Sequence, residues 1–241
     1  MTVSRERDKA ALRERVWAEL DAAAAVEDDT AYGRIPSFRG AEAAARRLAD
    51  LPAWHSAKII KVVPDTAQEP VRAIALSQGK VVYMAVPRLA ATAPFYVLDP
   101  RKLTVAPAVA ANRKEVPALT SAVDVDVLEP VDMVVLGSVA VDRTGARIGK
   151  GAGYSDIEAA LLTEAGLIGP STVFVTTVHR LQVVEEVPTE PHDVRVDVIV
   201  TPDAVITCPG PRLPARIRWD DLPAEKIAAI PALARRLTDR S

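Results

Sequence analysis

From Ser4 to Val26 apolar side chains return every fourth position, at Leu12, Val16 and Leu20, with charged residues between them. That spacing holds them on one stripe of a helix, so the chain is predicted to open with an amphipathic α-helix. A short connection over Tyr32–Phe38 leads to an alanine-rich run, Gly40 to Leu51, which predicts a second helix closed by Pro52. The pattern then changes. Ala57–Val63, Lys80–Val86 and Phe95–Leu98 are rich in valine and isoleucine, and the first two stop at Pro64 and Pro87; they predict strands. Between the first two, Pro70 marks the start of a helix over Val71–Ser77. Asp132–Leu136, Thr172–Val178, Val196–Val200 and the short Val205–Thr207 continue the strands. Asp156–Ala165 and Ile227–Leu237 are predicted to be helical. Strands alternating with helices predict an α/β fold with a largely parallel sheet covered on both faces.

Composition narrows the class. The 241 residues suffice for one large domain or two small ones; without a repeat or low-complexity linker, a single domain over 1–241 is the better reading. The tail 209–241, with five prolines, reads as a C-terminal surface appendage. Thirty basic against 32 acidic side chains argue against broad nucleic-acid binding, while leaving room for a local basic pocket. No apolar run reaches membrane-spanning length, and no apolar signal core follows the charged N-terminus, so a soluble, cytoplasmic protein is expected. The single cysteine, Cys208, fits a reducing compartment and a packing role. His55 is read as structural.

The densest chemistry lies in Gly145-Ala-Arg-Ile-Gly-Lys-Gly-Ala-Gly-Tyr-Ser-Asp156, between an apolar strand and a predicted helix. Glycines let backbone N–H groups approach an anion, Arg147 and Lys150 add positive charge, and the helix start adds its dipole. Asp156 is placed to hold a divalent ion beside that anion. Neither a Walker A loop nor a dinucleotide fingerprint fits the spacing. Two readings stand: a nucleotide-phosphate site, or a glycine-rich turn with exposed charges.

Two further groups enter. Lys9 and Arg13 stand four apart and so share one helix face, for which solvation is the simplest explanation. His179, Gln182 and Pro188-Thr-Glu-Pro-His-Asp193 follow the Thr172–Val178 strand. Parallel topology would bring this loop to the sheet edge that carries the glycines. Asp193 and Asp156 would then share magnesium, or Asp193 would merely cap its loop; His192 is read as a hydrogen-bonding loop residue. No catalytic triad, zinc helix or paired catalytic carboxylates emerge.

Together these segments resemble the 5-formyltetrahydrofolate cyclo-ligases. That family's basic pair Lys-x-x-x-Arg is similar to Lys9 and Arg13, and its glycine signature to Asp142-Arg-Thr-Gly-Ala-Arg-Ile-Gly-Lys-Gly-Ala-Gly-Tyr-Ser-Asp156. Its Gln…Pro-x-Glu-x-His-Asp run resembles Gln182, Pro188, Glu190, His192 and Asp193. Ser155 stands for the family's second tyrosine, Gly137-Ser138 for its Pro-Gly, and Pro64–Pro70 where it carries Glu-x-x-Thr. Arg34–Gly40 and Ala85–Leu89 look like a divergent branch, similar to the domain of methenyltetrahydrofolate synthetase domain-containing proteins.

The resemblance implies a three-layer α/β/α sandwich of Rossmann-like type, with ATP and Mg2+ as cofactors and a reduced folate as substrate. It implies that Lys9, Arg13, Arg147, Gly149, Lys150, Gly151, Ala152, Gly153 and Tyr154 hold the nucleotide. Arg147, Lys150 and Tyr154 would serve the chemistry, Tyr154 beside the folate, and Asp156 and Asp193 would hold the metal. A monomer or homodimer with no nucleic-acid or membrane partner is expected. The alternatives are an ATP-dependent enzyme acting on another formyl, amide or heterocyclic metabolite, or a nucleotide-binding module without catalysis.

Overall fold

The computed structural model describes residues 3–190 and 193–239. Its first helix, α1 (Val3–Ala22), buries Leu12, Val16 and Leu20, as their spacing requires. It ends four residues before the predicted Val26: Ala24 takes a positive φ of 48°, the chain doubles back, and Val26 bridges Phe38. Helices α2 (Ala41–Ala49) and α3 (Pro52–Ser56) lead into β1 (Ile59–Val62), α4 (Glu69–Ser77), β2 (Val81–Ala85) and β3 (Phe95–Leu98). Residues 99–131, which carry no periodic pattern, add the short α5 (Pro107–Ala111), α6 (Val116–Leu119) and β4 (Ala122–Val123). Then come β5 (Met133–Leu136), β6 (Ala140–Asp142), β7 (Arg147–Ile148), α7 (Tyr154–Glu164), β8 (Val173–Thr177), β9 (Val183–Val184), β10 (Val198–Val200) and β11 (Val205–Thr207). The chain closes with α8 (Ala224–Ala229) and α9 (Pro231–Asp239).

Eight strands form the main sheet in the order β11-β10-β8-β5-β1-β2-β3-β4. The middle five are parallel, β11 and β3 run opposite to them, and β4 pairs antiparallel with β3 at the far edge. Alternate residues divide between two cores: Ile60, Val62, Met133 and Val135 pack with α1, α2 and α4, whereas Val63, Val134, Leu136 and Phe174 pack with α7 and α9. Helices therefore cover both faces, which is why the central strands read as nearly unbroken apolar runs. From β1 the chain steps to β2 on one side, while β5 lies on the other. Reversal of strand order opens a crevice at the carboxyl ends of β1 and β5. Among the described residues no helix is long and apolar enough to cross a membrane.

Two expectations are corrected. The tail is no surface appendage, because Ile217, Ile230 and Leu233 are buried in the second core. The final helix predicted over Ile227–Leu237 is two helices, broken at Pro231, whose ring lacks the N–H a continuous helix needs. A small second sheet, β7-β6-β9, is also new: β6 and β7 lie between β5 and α7, β9 joins from beyond β8, and the glycines follow β7 rather than β5 directly.

Candidate active site

The hairpin of β6 and β7 decides where the glycines go. Asp142, buried at the end of β6, accepts hydrogen bonds at Oδ1 from the N–H groups of Thr144 (2.8 Å) and Ala146 (3.3 Å) and from the Thr144 hydroxyl (2.6 Å). Its Oδ2 accepts from Val187 N–H at 3.0 Å, so one carboxylate closes the turn and ties a distant segment to it. Gln182 has a similar task, donating to the Ser138 carbonyl (2.7 Å) while its Oε1 accepts from His179 N–H (2.7 Å). Both residues belong to the family-like motifs, yet both act as scaffold.

Beyond β7, the run Gly149–Gly153 leads to α7, with Gly153 at the N-cap in a left-handed conformation (φ 67°). The loop borders a cavity of ≈ 930 Å³ at the sheet crevice, with Asp65 after β1 and Gly137 after β5 on its wall. Among the described residues, ten basic and seven acidic side chains line it, whereas the whole chain has 30 basic and 32 acidic. Positive charge is thus concentrated here, as a site for a polyanion requires.

Lys9 and Arg13 turn inward rather than to solvent, at 4% and 9% exposure. Lys9 Nζ donates to Asp193 Oδ2 (2.6 Å) and Glu190 Oε2 (3.1 Å). Arg13 Nε donates to the Gly149 carbonyl (2.9 Å), Nη1 pairs with Glu6 (2.8 Å), and a Cβ on Gly151 would lie 3.5 Å from its Cζ. Arg147 is buried, with Nη1 3.4 Å from Asp156 Oδ1 and its Nε without a hydrogen-bond partner among the described residues. Lys150 is exposed, 3.9 Å from Asp65 Oδ1. Tyr154, half-buried, lies beneath the ammonium of Lys226, which also bonds the Ala152 carbonyl.

Asp156 Oδ1 accepts from Val194 N–H (3.2 Å), so the segment bearing Asp193 reaches the start of α7. The two carboxylates expected to share a metal line the same cavity. Among the described residues no cluster of three or more His, Cys, Asp or Glu side chains could hold a metal by itself. His192 lies outside the described residues. His55 is exposed on α3. His179 caps the 180–182 turn, its Nδ1 accepting from Leu181 N–H (3.3 Å), and burial lowers its pKa. Burial pushes the Cys208 thiol up to about 11, which suits packing rather than nucleophilic attack.

A further pair lies beside the cavity, whose lining includes Glu158. Lys61 in the middle of β1 and Glu158 on α7 form a buried ion pair, at 1% and 4% exposure. Burial raises the Glu158 carboxyl and Lys61 opposes that rise. A lysine inside an otherwise apolar strand was the available signal. Asp65 had none, because its place follows from strand order.

A cation-rich cavity at the crossover point of an α/β sheet is where doubly wound α/β proteins place their ligands. The chain belongs to the 5-formyltetrahydrofolate cyclo-ligase family, which its residues 5–202 match. It is 38% identical over 244 residues to the methenyltetrahydrofolate synthase domain-containing protein of Mus musculus, covering 96% of this chain and 63% of that one. The Homo sapiens protein of the same name is 34% identical over 234 residues, covering 92% and 59%. The chain therefore spans about three-fifths of the length of these curated relatives. The solved structure of Aquifex aeolicus 5,10-methenyltetrahydrofolate synthetase matches with a TM-score of 0.55 at 21% identity, covering 89% of this chain and 99% of that one. That likeness is one of fold.

Proposed function

We propose that this chain uses Mg-ATP to close 5-formyltetrahydrofolate to 5,10-methenyltetrahydrofolate, releasing ADP and phosphate. One observation carries the reading: Lys9, Arg13, Arg147 and the Gly149–Gly153 loop meet at one cavity, inside the residues that match the family. Phosphoryl transfer needs positioning and charge neutralisation more than a protein nucleophile, and these residues supply both. Arg147 has a buried guanidinium nitrogen without a partner among the described residues, which a phosphate oxygen would satisfy.

In this reading the formyl oxygen attacks the γ-phosphorus as its bond to the ADP oxygen breaks. N10 then attacks the formyl carbon and gives up its proton to solvent, and the C–O bond breaks to release phosphate. Arg13, Arg147 and Lys150 hold the polyphosphate in line, and Tyr154 borders the folate. Asp156 and Asp193 would hold magnesium through hard oxygen ligands, which suit that ion. When bound, that ion neutralises charge on the phosphates.

Asp65, on the crevice wall beside Lys150, stands where family members carry a different polar element, and it favours a second reading. There the chain works on another formyl, amide or heterocyclic compound. The test is to mix concentrated protein, Mg-ATP and 5-formyltetrahydrofolate and follow methenyl absorbance. Growth of that absorbance is expected. Its absence, from protein shown to bind Mg-ATP, rejects this substrate; phosphate release with a metabolite panel then supports the second reading.

A further inference from the structure

The family match ends at residue 202, yet the segment beyond it closes one side of the cavity. Helix α8 places Lys226 at the lip. Its ammonium donates to the Ala152 carbonyl, lies 4.6 Å from the Tyr154 ring centre, and would be 3.5 Å from a Cβ on Gly153. The placement is anchored: Ile230 and Leu233, just after α8, are fully buried in the second core. Its direct contacts among the described residues are a carbonyl and an aromatic ring, and the charge that acts on it is the Asp156 carboxylate in the first turn of α7.

Two features make that arrangement one of waiting. The ammonium sits against Gly153, the N-cap of the 11-residue α7, where the positive end of the helix dipole opposes a cation and, among the described residues, only Asp156 in the first turn offsets it. Nearby, Arg147 Nε is buried and has no hydrogen-bond partner among the described residues. An anion would improve both. Cations also reach the loop from two chain-distant helices: Arg13 of α1 at the Gly149 carbonyl, and Lys226 of α8 at the Ala152 carbonyl. A polyphosphate, with negative charge on successive groups, offers an acceptor to each of them.

We propose that Lys226 is a further ligand-binding residue, which transfers its ammonium from the Ala152 carbonyl to a phosphate oxygen of a bound polyphosphate. The proposal rests on the phosphate-site reading above and adds the C-terminal segment to that site. The test is calorimetry of the full chain with Mg-ATP and with inorganic tripolyphosphate, for wild type, Lys226→Met and Lys226→Arg, alongside melting curves without ligand. Lys226→Met should weaken both ligands about tenfold. Lys226→Arg should retain most of the affinity, and the unliganded melting temperature should hold in both variants. Wild-type affinity in Lys226→Met overturns the proposal and leaves the phosphate site standing. Equal losses in both variants with a lowered melting temperature overturn it in favour of a purely structural latch. Failure of wild type to bind either ligand overturns both readings.

Discussion

Lys61→Met is expected to destabilise the protein by about 3–5 kcal/mol at slightly alkaline pH, the cost of stranding one partner of a buried ion pair. Lys61 and Glu158 are almost wholly enclosed between β1 and α7. Methionine fills much of the lysine's volume, so the loss is chiefly electrostatic. Burial already holds the Glu158 carboxyl above its ordinary value, and Lys61 is the main opposing influence. Without it the folded-state pKa climbs further. A carboxyl whose folded pKa exceeds its unfolded one loses stability as pH rises from the unfolded value through the folded value. The deficit should therefore widen toward pH 8 and narrow toward pH 5. Urea unfolding at the two pH values checks this. The double variant Lys61→Met/Glu158→Leu should recover most of the loss. A single variant matching wild type at pH 8 would show that the pair does not stabilise the fold.

Gly145→Ala should cost on the order of 2–5 kcal/mol, combining backbone strain with overpacking. Gly145 adopts φ 85° in the β6–β7 turn, and an added Cβ would fall 2.1 Å from the Val196 carbonyl oxygen. That oxygen is backbone, and Val196 N–H already donates to the Gly145 carbonyl at 2.9 Å, so neither segment can withdraw without losing the contact. Gly79→Ala is the control. Gly79 has a similar φ of 79° with nothing within 4 Å, so its loss should stay near 1 kcal/mol, about the strain alone. Equal melting temperatures for the two variants would show that the close approach carries no weight.

The parallel core was legible because β1, β2, β5 and β8 are valine-rich runs bounded by proline or polar residues, and the inward stripe of α1 because 3.6-residue periodicity survives in Leu12, Val16 and Leu20. The glycine loop was legible because its chemistry is local, packed into twelve consecutive residues. Strands of two residues such as β4, β7 and β9 leave no period to detect. Partners set by the fold also escaped. Lys226 meets a carbonyl 74 positions away, and Glu158 meets a lysine 97 positions away. The spacing of Lys9 and Arg13 placed them on one face without saying that the face turns inward. The tail was misjudged because its buried residues, Ile217, Ile230 and Leu233, are separated by proline and charge.

Titration of Mg-ATP into wild type and Arg147→Ala, on protein whose melting curves agree, tests the phosphate site most directly. One nucleotide per chain should bind to wild type, with affinity falling about 10- to 100-fold when the buried guanidinium is removed. Equal affinity in the two proteins would contradict it, because nucleotide would then be held somewhere other than the Gly149–Gly153 loop.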